Sequence, residues 1–198
     1  MVKSYNFTFI IPARMASSRL HGKPLKKIDD KTVIEHVYNN CIKSSFCKQA
    51  IVATDSFLIK DFCNSKNMNC KMTKEHNCAS NRVSEVSLKL KDKWIVEVQG
   101  DEPFLYRNLI DSWLKKCIKL INEKKSPDIF LSYAKVKYED SNKFNYVKLL
   151  LSNKNKVLWF SRSKIPSDWK GTIESKIYRH TGFHLWKRSS LINFKKIK

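Results

Sequence analysis

The sequence predicts a three-layer α/β fold with a mainly parallel central sheet and an antiparallel extension toward the C-terminus. Two observations predict it. Over the first two thirds of the chain, short apolar runs alternate with amphipathic helical patterns, and that order places helices on both faces of a parallel sheet. The last third instead carries strand-like runs separated only by turns, which suits antiparallel pairing. No linker, repeat or low-complexity block divides the chain, so residues 1–198 are expected to form one domain.

Each element has its own signal. Phe7–Ile11 reads as a buried strand, because its apolar run is too short for a helix. Thr32–Ser44 reads as a helix capped by Thr32, with Val33, Ile34, Val37 and Ile42 at helical spacing. Ala50–Thr54 is a second strand, followed by a helix over Ser56–Lys66 and a short strand at Asn69–Met72. Ser80–Leu90 has near-helical apolar spacing, and Trp94–Val98 is a further strand. Tyr106–Glu123 is a long amphipathic helix with Leu109, Ile110, Trp113, Leu114, Cys117, Ile118 and Ile121 on one broad face. Ile129–Val136, Val147–Leu151, Val157–Phe160 and Ile177–Trp186 are strands.

Composition excludes several classes. A hydrophobic content of 42%, with 12% aromatic residues, argues against disorder. No run approaches the roughly 20 apolar residues of a membrane span. Met1–Asn6 lacks the apolar region and cleavage site of a secretory signal, so a cytoplasmic protein is expected. The cysteines (Cys41, Cys47, Cys63, Cys70, Cys78, Cys117) form no CxxC pair, which argues for free thiols filling the core and against a zinc site. The net charge of +21 invites a nucleic-acid reading. Yet 32 Lys stand against 7 Arg, spread along the whole chain, whereas surfaces that grip phosphate backbones favour the forked Arg. No specific nucleic-acid partner is expected.

In open α/β sheets, ligands bind beyond the carboxyl ends of the strands. The segment after the first strand, Pro12–Lys23, is dense in cations and small residues. Backbone N–H groups of such a loop can wrap a polyphosphate while Arg14 and Lys23 neutralise it. The segment after Trp94–Val98 is Gln99-Gly100-Asp101-Glu102-Pro103. An Asp at a strand end beside Gly suits a hard, oxygen-liganded Mg²⁺.

These residues carry a resemblance. The stretch IIPARMASSRLHGKPL at Ile11–Leu25 resembles the nucleotide-binding signature of sugar-activating cytidylyltransferases, and in particular the 3-deoxy-manno-octulosonate cytidylyltransferase family. His21 stands where that family usually has Pro. VQGDEP at Val98–Pro103 matches its second signature. Met72-Thr73 and His76–Arg82 resemble its base-reading loop, although Cys78, Ala79 and Asn81 depart from the usual Ser, Gly and acid. Ala79 cannot adopt positive φ as cheaply as Gly. Asn145–Lys148, Trp159–Arg162, Ile165-Pro166 and Tyr178–Gly182 resemble the sugar-side half. Five of the seven Arg (Arg14, Arg19, Arg82, Arg162, Arg179) fall inside these segments.

The resemblance implies a nucleotide-diphospho-sugar-transferase-like fold with the antiparallel extension on the sugar side. It implies transfer of CMP from CTP to a 3-deoxy-octulosonate-type sugar acid, with release of pyrophosphate, for lipopolysaccharide or related surface sugars. Pro12, Ala13, Arg14, Lys23, Met72, Thr73, Gln99 and Gly100 would bind CTP. Arg19, Gln99, Arg162 and His180 would bind the sugar acid. Arg14, Lys23 and Asp101 would be catalytic, and Asp101 would ligate Mg²⁺. Family members continue beyond the length of this chain, with a dimer-forming helix and a second metal-ligating Asp. A weakened homodimer and slow turnover are therefore expected. The alternatives are a catalytically weak paralogue that binds nucleotide or a partner subunit, and a basic nucleic-acid-binding module.

Overall fold

The computed structural model describes residues 5–16, 20–124, 126–165 and 177–194. Its first strand, β1 (Phe7–Pro12), is buried along its whole length. A strand covered on both faces reads as a continuous apolar run, and this one does. A hairpin of β2 (Lys27–Ile28) and β3 (Lys31–Thr32) follows, turned by Asp29 at φ 55°. The sequence reading missed it, because two-residue strands carry no usable periodicity. Thr32 then caps α1 (Val33–Ile42) in a reciprocal box: its hydroxyl accepts from the Glu35 N–H, and the Glu35 carboxylate accepts from the Thr32 N–H at 2.8 Å.

β4 (Cys47–Thr54) begins three residues before the expected Ala50, since Cys47 already pairs with Phe7 at the edge of the apolar run. Ser56 caps α2 (Phe57–Ser65), and β5 (Cys70–Met72) follows. Next come α3 (Ala79–Ser87), β6 (Trp94–Val98) and α4 (Arg107–Asn122). The remaining elements are β7 (Ile129–Val136), β8 (Lys148–Leu151), β9 (Val157–Ser161), β10 (Ile177–Lys187) and α5 (Arg188–Phe194). The sequence reading assigned nothing to α5.

The chain divides into two units, Met1–Phe130 with Gly182–Lys198, and Leu131–Thr181. In the first, the sheet runs β5-β4-β1-β6 in parallel, and the C-terminal part of β10 adds antiparallel to β6. Alternation along β1 builds the layers. Phe7, Phe9 and Ile11 pack with Ile34 and Val37 of α1, Ile59 of α2 and Ile110 and Leu114 of α4. Ile10 points the other way and packs with Val83 and Val86 of α3, Trp186 of β10 and Leu191 of α5. Each fully buried Phe or Ile contributes about 1.5–3 kcal/mol of hydrophobic stabilisation. The mainly parallel α/β sheet with helices on both faces is thus as expected.

On α4 the expected apolar face is one residue too wide. Ile110, Leu114 and Cys117 are buried and Trp113, Ile118 and Ile121 pack beside them, but Leu109 is exposed. One residue turns a helix by about 100°, which carries Leu109 off the stripe centred on Ile110 and Leu114. Cys41, Cys63, Cys70 and Cys117 fill the core as free thiols, while Cys78 is exposed.

In the second unit, β8 pairs antiparallel with both β9 and β10, and Val136 and Ile177 form a small core with Tyr146. This is the antiparallel part of the fold. No helix among the described residues is long and apolar enough to cross a membrane.

Candidate functional site

Two loops leave the carboxyl ends of β1 and β6 side by side. Ala13 continues from β1, its N–H donating to the Ala53 carbonyl at 2.9 Å, and Arg14 follows it, exposed. The loop returns through Gly22 at φ 67°, a left-handed conformation that favours glycine, and the Gly22 N–H donates to the Met15 carbonyl at 3.0 Å. A short 3-10 turn over Lys23–Leu25 then buries Pro24 and leaves Lys23 at the mouth of the loop.

From β6, the Gln99 N–H donates to the Gly182 carbonyl of β10 at 2.7 Å. A Cβ on Gly100 would lie 2.7 Å from the Pro12 carbonyl oxygen, so only glycine lets the two loops approach this closely. Across the junction, Lys23 Nζ donates to Asp101 Oδ2 at 2.8 Å.

A cleft of about 240 Å³ opens here, between these loops and the start of α3. Pro12, Ala13, Arg14, Lys23, Gln99, Gly100 and Asp101 line it together, all of them expected site residues. The remaining wall comes from Ala16, Pro24, His76, Cys78, Ala79 and Arg82. Met72 and Thr73 do not line it. Met72 ends β5 and Thr73 follows it, where the Thr73 N–H donates to the Thr54 carbonyl and the Thr73 hydroxyl accepts from Arg82. Arg19, with Ser17, Ser18 and Pro166, lies outside the described residues. Arg162 and His180 belong to the second unit. There Arg162 donates to the Phe144 carbonyl at 3.1 Å, and the His180 ring packs edge-on to Phe160.

The α3 wall is more tightly built than its sequence suggested. Arg82 is 2% exposed, and its fork reaches Asp55 Oδ2 and Thr73 Oγ1, each at 2.6 Å. It thereby ties the ends of β4 and β5 to the helix. The His76 side chain is buried, 2.6 Å from Glu85. Ala79 needs no positive φ, because it is the first residue of α3 and already helical.

One charged group was overlooked. Glu97 is fully buried on β6. Its carboxylate accepts from Ser80 Oγ at 3.0 and 3.1 Å, from Gln99 Nε2 at 2.8 Å and from Trp186 Nε1 at 2.8 Å, and His184 Nδ1 lies 3.5 Å away. Burial pushes its pKa up, but His184, Trp186 and Ser80 outweigh burial and hold the carboxyl below its ordinary value. The signal was available: a Glu inside the apolar strand Trp-Ile-Val-Glu-Val has no reason to be there unless paired.

Arg, Lys and Asp gathered around glycine at the carboxyl edge of an α/β sheet form an arrangement suited to a polyphosphate, the class of site found in nucleotide-handling proteins. The cytidylyltransferase family model matches residues 8–198, and the chain belongs to that family. It is 37% identical to 3-deoxy-manno-octulosonate cytidylyltransferase of Leptospira interrogans, covering 93% of this chain and 74% of the relative. The enzyme of the same name from Christiangramia forsetii is 32% identical, over 93% of this chain and 75% of that one. Among solved structures, a CMP:2-keto-3-deoxy-manno-octonic acid synthetase complexed with CTP superimposes with a TM-score of 0.85 at 25% identity, covering 98% of this chain and 78% of the other.

Proposed function

We propose that this chain transfers CMP from CTP to 3-deoxy-manno-octulosonate, or a closely similar sugar acid, and releases pyrophosphate, in the synthesis of lipopolysaccharide or a related surface sugar. The observation that carries the proposal is the convergence of Arg14, Lys23, Gln99, Gly100 and Asp101 in one cleft at the carboxyl ends of β1 and β6. Family membership and the 37% identical relative of that activity support it.

The anomeric hydroxyl of the sugar acid attacks the α-phosphorus of CTP. A new O–P bond forms, the bond to the β-phosphate oxygen breaks, pyrophosphate leaves and the hydroxyl proton is lost. Little covalent work falls to the protein. Arg14 and Lys23 hold and neutralise the phosphates, and the loop backbone at Ala13 positions the nucleotide. In the second unit, Arg162 offers a fork suited to a carboxylate, and His180 offers a ring nitrogen to a hydroxyl.

Mg²⁺ belongs to this reading. Asp101 is a hard oxygen donor, about half exposed at a strand end, which fits that ion. Among the described residues no three His, Cys, Asp or Glu side chains converge, and triphosphate oxygens and water would serve as ligands beside Asp101. When bound, the ion neutralises charge that develops on the phosphates.

A cytoplasmic location, where CTP is available, is part of the same reading. So is a homodimer. β9, at the edge of the sheet among the described residues, exposes Leu158, Trp159 and Phe160, and light scattering would report association.

The decisive experiment measures pyrophosphate release from CTP with 3-deoxy-manno-octulosonate, with and without Mg²⁺. Release that requires both the sugar acid and the metal supports the proposal. CTP binding without release favours a weak paralogue, and no CTP binding overturns the reading.

A further inference from the structure

Gln99 lines the cleft, yet half of its amide is already committed. Its Nε2 donates to Glu97 Oε1 at 2.8 Å. A carboxylate held in the ionised form only accepts hydrogen bonds. An amide that turned its oxygen toward Glu97 would set two acceptors against each other in a buried site. The orientation of Gln99 is therefore chemically forced. Its backbone is pinned as well, by the bond from its N–H to the Gly182 carbonyl.

Glu97 is itself immobilised. Trp186 of β10 and Ser80 of α3 donate to it, and it is completely buried. Ser80 stands in the first turn of α3, beside Ala79 in the wall of the same cleft. One buried carboxylate thus links the α3 wall of the cleft to the amide at its floor.

We infer that Glu97 is a positioning residue that holds Gln99 with Nε2 turned inward and Oε1 turned to the cleft, so that this point recognises a hydrogen-bond donor on the substrate. The donor is a hydroxyl or amino group. A substrate that presents an acceptor there leaves Oε1 unpaired and is rejected. The selectivity rests on the proposed cytidylyl-transfer reading, whereas the orientation of Gln99 does not.

The experiment has two arms, run on wild type, Glu97→Gln and Trp186→Phe. The first is side-chain amide NMR of the ligand-free protein, with the Gln99 signal assigned by its loss in Gln99→Met. Wild type should show a Gln99 amide proton shifted downfield and slow to exchange. Glu97→Gln removes the forced orientation, because its own amide can donate to Gln99 Oε1, and the signature should disappear. Trp186→Phe removes a different Glu97 donor. It should lower thermal stability but leave the Gln99 signature in place. Absence of the signature in wild type, or its persistence in Glu97→Gln, overturns the inference.

The second arm compares binding of CTP with UTP, which tests the base amino group, and with 2′-deoxy- and 3′-deoxy-CTP, which test the ribose hydroxyls. Sugar acids lacking single hydroxyls are then compared by kcat/KM. In wild type one of these deletions should cost about tenfold or more, the cost of stranding a buried acceptor. In Glu97→Gln that same penalty should shrink to about threefold or less, and Trp186→Phe should keep it. A penalty unchanged in Glu97→Gln, or no single deletion that costs wild type more than the rest, overturns the donor recognition. Should the NMR signature hold while wild type binds no CTP, the cytidylyl-transfer reading falls and the positioning of Gln99 stands.

Discussion

Lys23 Nζ and Asp101 Oδ2 lie 2.8 Å apart, although 78 positions separate the residues along the chain. The pair joins the loop after β1 to the loop after β6. It also occupies, with a protein cation, the carboxylate proposed for Mg²⁺. On the proposed reading each would exchange its partner when a metal-bound triphosphate enters.

Lys23→Ala should weaken CTP binding by about 1.5–3 kcal/mol, the loss of a charge-assisted phosphate contact. Calorimetry on both proteins measures it. Unchanged affinity in a folded variant would remove Lys23 from the nucleotide site.

On the same reading the pairing also bears on the metal. Mg²⁺ should bind the empty protein poorly and bind well together with CTP, because one carboxylate cannot complete its shell and Lys23 competes for that carboxylate. Lys23→Ala should raise the affinity of the nucleotide-free protein for Mn²⁺, used as a spin probe, and Asp101→Asn should abolish that gain. Paramagnetic titration reads both. Equal affinities in all three proteins would place the metal elsewhere.

Gly100→Ala should separate the two loops. Its Cβ would sit 2.7 Å from the Pro12 carbonyl oxygen, and the obstructing atom is backbone that cannot rotate away. A destabilisation of about 1–3 kcal/mol is expected, as for overpacking in a fitted interior, together with loss of CTP binding. Denaturant unfolding and calorimetry test the two effects separately. A variant with wild-type stability and affinity would show that the loops are free to part.

Asp111 supplies a pH test away from the cleft. It stands on α4, where Ser44 Oγ and the N–H and Oγ of Ser45 donate to it. Burial raises its pKa, but these bonds and Arg107 outweigh it and hold the carboxyl below its ordinary value of 3.8. A depressed folded-state pKa stabilises the protein above the unfolded value, and that stability is lost as pH falls through the folded one. Asp111→Asn should therefore cost about 1–3 kcal/mol at pH 7. The gap to wild type should narrow as pH drops below the ordinary Asp value. A gap that is constant with pH would assign the effect to packing alone.

Much of this was legible in the residues themselves. Buried strands announced themselves as apolar runs, helices as 3.6-residue patterns with Thr32 and Ser56 at their starts, and the two cleft loops as glycine and charge directly after strands. These signals are local, because hydrogen-bond periodicity and capping act within a few residues. Hence β1, β6 and α4 lie where expected, and Arg14, Lys23, Gln99 and Asp101 line one cleft.

Tertiary structure alone decided the pairings. Nothing in the sequence joins Lys23 to Asp101, Arg82 to Asp55 and Thr73, or Glu97 to Trp186. Such contacts depend on strand order, and strand order follows from how the two faces of the sheet are covered. The same holds for Met72 and Thr73, which lie outside the cleft wall, and for the β2–β3 hairpin, which is too short for any period. The sequence by itself determined the layers and the chemistry of the loops. Packing determined that one buried carboxylate, Glu97, holds the floor of the cleft in a single orientation, because a charge removed from water persists only where the fold brings it partners.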